Sequence, residues 1–323
     1  MQFQLDIHIP ELEPRIQYPA KIALIGSCFT EHITQYLKRV KFPVMENPHG
    51  ILFNPHSVCQ SLQEVMDQRL YTESDLFYYQ EYYHSWFHHS DFSALKPDEA
   101  LHKINTAIQD YHVFLKDADY LFITLGSAFA YYVTEGGFLV GNNHRAPSAW
   151  FEKRMLDIPY IQQQLQELLK CLSVFNPKLN IIFTISPVRH HRDGLIENNH
   201  SKARLLEAVH HLNEVYYFPA YELLIDVLRD YRFYDADLVH PNYAATQYVW
   251  SQFVTHCLHP SCQPLMAEMD QIYKARHHKP KDTRSQAHQQ FMQTHYQHCL
   301  DLKQQYPFLD LEEELHYFAS SNL

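Results

Sequence analysis

The chain has 323 residues, of which 46% are apolar and 20% are charged, so it can bury a large core and is not a disordered polymer. Its formal net charge of −11 argues against general nucleic-acid binding, which needs cationic side chains to neutralise phosphates. No apolar run approaches the roughly 18 residues of a membrane span. The start of the chain also lacks the apolar segment of a signal peptide.

Six cysteines are scattered along the chain without a CxxC pair, which predicts neither a zinc site nor a disulfide framework. They are Cys28, Cys59, Cys171, Cys257, Cys262 and Cys299. Free thiols are typical of a reducing compartment, so we expect a cytoplasmic protein. No HExxH motif is present, and we expect no metal and no cofactor.

Buried strands alternate with helices from about residue 20 to residue 258. Short apolar runs predict strands at 21–25, 120–125, 180–185 and 215–219. Helical spacing predicts helices at 31–40, 55–70, 161–172, 201–212 and 244–257. Strands that are separated by helices indicate an α/β fold in which a parallel sheet is covered on both faces.

Two segments depart from this pattern. Residues 77–92 are dense in aromatic and histidine side chains, which predicts a hairpin or lid insertion within 71–95 that either covers the core or contacts substrate. The tail predicts two helices, at 265–277 and 285–305. We therefore divide the chain into a core domain, 1–260, and a C-terminal helical extension, 261–323, which could also mediate homo-oligomerisation.

Ser27 follows the first predicted strand and precedes a helix. A serine at such a turn can expose its hydroxyl and place its own N–H near a helix N-terminus, which are two requirements of acyl transfer. The alternative is that Ser27 is only a helix N-cap. The neighbouring Cys28 is a second candidate nucleophile, although adjacent side chains on a helix point in different directions.

Asp237 and His240 form an Asp-x-x-His-Pro motif before the last core helix. Their spacing lets the carboxylate bind the Nδ1–H group of the imidazole and leaves Nε2 as a base. Asp235 is a poorer partner because its spacing to His240 differs. The alternative is a surface turn in which the aspartate caps a helix.

The segment IGSCFTEHI (25–33) resembles the signature of the GSCFA family, a branch of the SGNH (GDSL-like) hydrolases. Further stretches are similar to that family in the same order along the chain. They are NPHGILFNP (47–55), HHSDFS (88–93), TLGSAFAYY (124–132), GNNHRAP (141–147), SPVRHHRDG (186–194), NNHSKARLL (198–206) and RDYRFYDADLVHPN (229–242). The resemblance extends over about residues 20 to 258.

This resemblance implies a three-layer α/β/α sandwich with a mostly parallel, flavodoxin-like sheet. It implies that Ser27, Asp237 and His240 form a catalytic triad. It also implies that the N–H group of Gly50 joins that of Ser27 in an oxyanion hole.

The oxyanion hole departs from the superfamily pattern in one respect. Typical SGNH enzymes carry Gly-x-Asn where this chain has Gly126-Ser127-Ala128, so the usual amide donor is missing. Ser127 could donate weakly, or Asn142 or Asn47 could reach in from another loop. Such a donor can be worth roughly 3 kcal/mol in barrier height. The first motif also has Ser-Cys where most relatives have Asp-Ser.

A cluster of basic and histidine side chains follows the strand at 180–185. Arg189 and His190, with Arg192, could bind a carboxylate or phosphate of a substrate, or instead pair with nearby acidic residues. We expect Lys202 and Arg204, in the next helix, to be surface charges.

The leading hypothesis is an esterase or deacylase that removes an O-acyl group, such as acetyl, from a carbohydrate or small metabolite through a Ser27 acyl-enzyme. The same machinery would be an O-acyltransferase if an acceptor alcohol replaced water. The rival hypothesis is a non-catalytic ligand-binding or scaffolding protein on the same fold, because fold does not dictate function. We expect neither nucleic acid nor a membrane as a partner.

Overall fold

The computed structural model of the chain describes residues 5–319. Within this range the strands are, in chain order, β1 (Ile22–Gly26), β2 (Val44–Glu46), β3 (Phe77–Tyr79), β4 (Tyr82–His84), β5 (Tyr120–Leu125), β6 (Phe129–Val133), β7 (Leu139–Val140), β8 (Phe151–Met155), β9 (Asn180–Ile185) and β10 (Tyr216–Tyr217). The helices are α1 (Cys28–Arg39), α2 (Pro55–Met66), α3 (Pro97–Lys116), α4 (Ile158–Phe175), α5 (Leu195–His210), α6 (Ala220–Glu222), α7 (Tyr243–Cys257), α8 (Gln263–Arg276), α9 (Gln286–Gln305) and α10 (Glu312–Ala319).

The central sheet has five parallel strands in the order β10-β9-β5-β1-β2. Every residue of β1 and of β5 is buried, as expected for strands that are covered on both faces. The register pairs Gly26 with Thr124 and Leu125 with Ile185. Because parallel strands all point the same way, the carboxyl ends of β1, β5 and β9 lie side by side at one edge of the sheet.

The two faces of the sheet support separate apolar layers. Leu24 and Phe122 pack with residues of α1, α7 and the C-terminal helices on one face. Ile25 and Ile123 pack with residues of α2, α3, α4 and α5 on the other. This alternation of side chains along each strand gives the three-layer α/β/α sandwich. The predicted fold class is therefore confirmed.

The strands predicted at 120–125 and 180–185 have those bounds in the structure. The helix predicted at 201–212 begins earlier, at Leu195. Several short elements, β2 among them, were not predicted from the sequence, and neither were two larger features. The larger features are α3, whose buried residues recur every three or four positions, and an antiparallel sheet with the order β7-β6-β8. That small sheet is mostly half-buried, so its apolar pattern is weak.

The aromatic insertion contains the predicted hairpin. Strands β3 and β4 pair antiparallel, and Gln80 and Glu81 at the turn both have positive φ angles, of 45° and 71°. Two such residues are typical of the type I′ turn that suits a two-residue hairpin loop. Phe77 of β3 stacks on Trp86 with ring centroids 3.6 Å apart, so the aromatic side chains largely pack on one another.

The C-terminal extension packs directly on the α/β core. Leu265 and Met269 of α8 belong to the same buried cluster as Leu24 of the sheet. The two predicted helices correspond to α8 and α9, and α10 is an additional helix. No helix within residues 5–319 has the length and hydropathy needed to cross a membrane. The boundary at residue 260 and self-association through these helices stay predictions.

Gly26, the last residue of β1, has a φ angle of +139°, and a Cβ atom there would overlap the carbonyl oxygen of Thr124. We expect Gly26→Ala to lower the free energy of unfolding by about 3 kcal/mol or more, measured by urea denaturation. Gly137→Ala is the matched control, because its φ angle is also positive, +69°, but a Cβ atom would meet nothing within 4 Å. It should lose only about 1 kcal/mol. Equal losses would contradict a steric requirement at Gly26.

Candidate active site

Ser27 lies at the junction of β1 and α1, where it occupies the N-cap position of the helix. Its side chain is 0% exposed, yet it makes no capping hydrogen bond. The Oγ atom has no hydrogen-bond partner within residues 5–319. Buried hydroxyl groups are normally paired, and an unpaired one needs an explanation other than capping. Ser27 therefore occupies the N-cap position without capping the helix through its side chain.

Asp237 and His240 form the pair that their spacing predicts. One carboxylate oxygen lies 2.6 Å from Nδ1 of His240, and the other accepts the main-chain N–H groups of Val239, at 2.9 Å, and of His240, at 3.0 Å. The hydrogen bond with the His240 side chain and these two N–H groups hold the pKa of Asp237 well below its usual range. The imidazole is thereby oriented with Nε2 available as a base.

The turn between these two residues is not a helix cap. The N-cap of α7 is Asn242, whose side chain accepts the N–H group of Ala245 at 3.2 Å. Within the turn, Leu238 has a φ angle of +57°, which is a costly conformation for a residue other than glycine. A strained turn that no capping role requires is typical of a functional site.

The Asp-His turn lies close to α1 and to the loop that follows β9. Burial and the nearby His240 lower the pKa of His32 on α1, and His240 also contributes to a lowered pKa at His190. The structure therefore brings Asp237 and His240 together. It does not join His240 to Ser27 by a hydrogen bond, because Ser27 Oγ is unpaired within residues 5–319. The His240 side chain is 44% exposed.

The two main-chain N–H groups expected in the oxyanion hole both donate to carbonyl oxygens of the protein. The N–H group of Ser27 donates to the carbonyl of Thr124 at 3.2 Å, and that of Gly50 donates to the carbonyl of Asn47 at 2.8 Å. Each donor is therefore already occupied in this conformation. Asn142 binds within its own loop, where its side chain accepts the N–H group of His144 at 2.8 Å.

Asn47 offers the unoccupied amide that the Gly-x-Asn position lacks. Its Oδ1 atom accepts the N–H group of Gly26 at 2.9 Å, which holds the side chain next to the residue preceding Ser27. Its Nδ2 group is buried and makes no hydrogen bond within the described chain. Asn47 also has a positive φ angle, of 47°. The side-chain amide of Asn47 therefore keeps a free hydrogen-bond donor close to the residue that precedes Ser27.

Ser127 is hydrogen-bonded within the protein, whereas His190 is neutral and has an unpaired ring nitrogen. The Ser127 hydroxyl accepts the N–H group of Phe129 at 3.1 Å and lies 3.2 Å from the Ser201 hydroxyl. Burial, followed by the charge of Lys202, lowers the pKa of His190 to about 3, so this imidazole is neutral at pH 7. Its Nε2 atom is buried and unpaired in the described part of the chain. His190 therefore adds no positive charge to the predicted basic cluster.

The prediction of a surface charge is wrong for Lys202, whereas Arg204 is half-buried. Lys202 is 1% exposed, and its ammonium group donates to the carbonyls of Gly126 and Ser186, both at 2.6 Å. Burial lowers its pKa to about 7. Arg204 donates to the carbonyls of Met155 and Leu156 at 3.0 and 2.8 Å.

Lys202 thus links the carboxyl ends of β5 and β9 through the carbonyls of Gly126 and Ser186. Gly126 packs so closely on Ser27 that an added Cβ atom would lie 3.1 Å from the serine Cβ. A sequence signal for this role did exist. The buried residues of α5 recur every three or four positions, and Lys202 falls among them.

Cys28 does not fit a thiolate nucleophile. Burial, with a further contribution from Glu31, raises the pKa of its thiol to about 11, so the thiol is protonated at neutral pH. Within residues 5–319 no three His, Cys, Asp or Glu side chains are arranged to hold a metal ion.

Residues 21–253 match the GSCFA family, and residues 269–322 match the family described as GSCFA domain protein, C-terminal domain. The chain belongs to the GSCFA family. This confirms the family that the sequence motifs predict.

Two solved structures are similar to this GSCFA protein at low identity. The lipase Lip_vut3 from a goat rumen metagenome is 9% identical with a TM-score of 0.36, and the match covers 72% of this chain and 96% of the lipase. The acetyl xylan esterase Est2A from the rumen bacterium Butyrivibrio proteoclasticus is 11% identical with a TM-score of 0.36, and the match covers 74% of this chain and 64% of the esterase. The search of curated proteins gave no match.

The lowered pKa of Lys202 predicts a specific pH dependence of stability. Between about pH 7 and pH 10 the folded ammonium has lost a proton that the unfolded chain retains, so stability rises with pH in this window. Relative to Lys202→Met, the wild-type free energy of unfolding should increase by up to about 1.4 kcal/mol per pH unit, measured by urea denaturation from pH 7.5 to 9.5. The control Lys178→Met removes an exposed lysine paired with Asp117 but keeps Lys202, so its curve should stay parallel to that of the wild type. Parallel curves for wild type and Lys202→Met would contradict the assignment.

Proposed function

We propose that this GSCFA protein is a serine esterase or deacylase that removes an O-acyl group, such as acetyl, from a carbohydrate or small metabolite. The observation that carries the proposal is the buried, unpaired hydroxyl of Ser27 at a helix N-terminus. The oriented Asp237–His240 pair supports it, because a base held in one tautomer is what a serine nucleophile requires.

In the proposed mechanism Ser27 Oγ attacks the acyl carbon while Nε2 of His240 takes the hydroxyl proton. The Nδ2 group of Asn47 donates to the oxyanion that forms on the acyl oxygen. His240 then returns the proton to the departing alcohol and leaves an acyl-enzyme ester on Ser27. Water attacks this ester and gives a proton to His240, and His240 returns the proton to Ser27 Oγ as its bond to the acyl carbon breaks and the carboxylic acid is released.

These reaction steps require Nε2 of His240 to approach the hydroxyl of Ser27. The Asp-His turn is exposed, and catalytic hydrogen bonds are often absent or long until substrate is bound. Transfer of the acyl group to an acceptor alcohol would use the same steps, with the alcohol in place of water. We also propose that the protein acts in the cytoplasm on a small ester and not on nucleic acid or a membrane.

A second candidate function is ligand binding without catalysis. Two observations favour it: the main-chain donors of Ser27 and Gly50 are occupied, and Ser27 is not bonded to His240. Ligand binding that survives Ser27→Ala, together with no turnover by the wild type, would support this alternative.

A fluorophosphonate probe tests the nucleophile directly. We expect mass spectrometry to locate the adduct on Ser27 of the wild type and to find none in Ser27→Ala. Cys28→Ala is the matched control for the neighbouring thiol and should retain the label. Folded wild-type protein that neither takes up the probe nor hydrolyses 4-nitrophenyl acetate would contradict the proposal.

The role of Asn47 is tested by the rate of ester hydrolysis. Asn47→Ala should lower kcat by about 10²–10³-fold, which is the usual effect of losing one oxyanion donor. Asn142→Ala removes the other candidate amide and should leave kcat within about twofold, because Asn142 binds within its own loop. Urea denaturation should establish that both variants are folded. A large loss of kcat in Asn142→Ala alone would show that Asn142, and not Asn47, is the donor.

A further inference from the structure

A small cleft lies beside the Asp-His turn. Its volume is about 220 Å³, which is below the roughly 300 Å³ of pockets for drug-sized ligands, so it suits one small group. Its lining includes the polar side chains of Arg189, Arg229, Asn199, Tyr231 and Tyr234, and one acidic residue, Asp230. We call this feature the arginine cleft.

The arginine cleft is connected to the catalytic turn through the main chain. The N–H group of Arg189 donates to the carbonyl of Val239 at 3.1 Å, and the N–H group of Val239 in turn donates to Asp237. A group bound in the cleft would therefore lie next to the residues that orient His240.

The charges of the cleft are uncompensated. Within residues 5–319 neither Arg189 nor Arg229 forms an ion pair, and the one acidic residue of the lining, Asp230, is paired with Arg232 at 2.9 Å. The guanidinium carbon of Arg189 lies 5.6 Å from the ring centroids of both Tyr231 and Tyr234, which hold it in place. Two arginines without an acidic partner in one cleft can attract an anion, although the chain as a whole has a net charge of −11.

The backbone that presents Arg229 is unusual. Residues Leu223–Leu228 form a π-helical turn, which ends where the N–H group of Arg229 donates to the carbonyl of Leu224 at 3.0 Å. Arg229 itself has the left-handed angles φ 46° and ψ 32°. Both features cost free energy and cluster at functional sites.

We propose that the arginine cleft binds an oxyanion of the substrate, so that the preferred substrate is a small acyl ester that carries a carboxylate or a phosphate. This inference rests on the proposed esterase function. The planar guanidinium groups can each donate two parallel hydrogen bonds to either oxyanion, and the hydroxyl of Tyr231 and the amide of Asn199 can add single ones.

Hydrolysis of matched esters tests the specificity. We would compare kcat/KM for 4-acetoxybenzoate, its neutral methyl ester and 4-acetoxyphenyl phosphate at low ionic strength. The wild type should prefer one of the anions, and Arg189→Gln/Arg229→Asn should reduce that preference by about tenfold or more, mainly through KM. Arg192→Gln, which removes one positive charge from the loop that carries Arg189 but outside the lining, is the control for each single arginine substitution and should retain the preference. The favoured anion distinguishes a carboxylate from a phosphate.

Binding without turnover separates this inference from the proposed function. Calorimetric titration of Ser27→Ala with inorganic phosphate and with 4-hydroxybenzoate should show binding of at least one anion, and the added arginine substitutions should abolish it. Arg229→Asn alone serves if the double variant is unfolded, because asparagine tolerates left-handed angles. Hydrolysis of the neutral ester without anion preference or anion binding would contradict anion binding in the arginine cleft and would still support the proposed esterase function. Anion binding without hydrolysis of any ester would support the arginine cleft as an anion site and would contradict the proposed esterase function.

Discussion

The candidate site depends on one buried interaction, in which the ammonium group of Lys202 is shared between the carbonyls of Gly126 and Ser186. Burying an ammonium group costs several kcal/mol unless hydrogen bonds offset the lost hydration. The two carbonyls can do so only while the ends of β5 and β9 keep their separation. Because Gly126 packs against Ser27, the surroundings of the serine are held by the same contact. The surroundings of Ser27 are consequently buried and hydrogen-bonded, whereas the Asp237–His240 pair is about half exposed.

The elements that could be predicted from sequence are those with a continuous local signal. The strands at 120–125 and 180–185 are apolar runs buried on both faces, so their bounds follow from composition alone. The small antiparallel sheet carries tyrosines and phenylalanines that are half-exposed, and its pattern merges with that of the aromatic insertion. Helix α3 has a narrow buried stripe with polar residues between, which a search for long apolar segments passes over.

In the candidate site, contacts between residues close in sequence could be predicted, whereas contacts between distant residues could not. The Asp237–His240 contact spans three residues within one turn, so spacing alone predicts it. Asn47 is 21 residues from the glycine whose N–H group it accepts, and Lys202 is 76 residues from Gly126. Contacts at such separations depend on how the strands are ordered in the sheet, which a single sequence does not state. The helical periodicity of α5 still places Lys202 on a buried face, and the usual expectation that lysines are exposed misleads there.

The occupied donors near Ser27 favour one version of the proposed oxyanion hole. The bond from the Ser27 N–H group to Thr124 is 3.2 Å long, whereas the bond from the Gly50 N–H group to Asn47 is 2.8 Å and closes a tight turn. The longer bond is the weaker one, and so it costs less to exchange for a new acceptor. A developing oxyanion attracts an N–H group more strongly than the neutral Thr124 carbonyl does. The exchange would then favour the transition state over the bound substrate, which is the condition for raising kcat. Ser27 and Asn47, rather than Ser27 and Gly50, are therefore the pair of donors that the geometry favours.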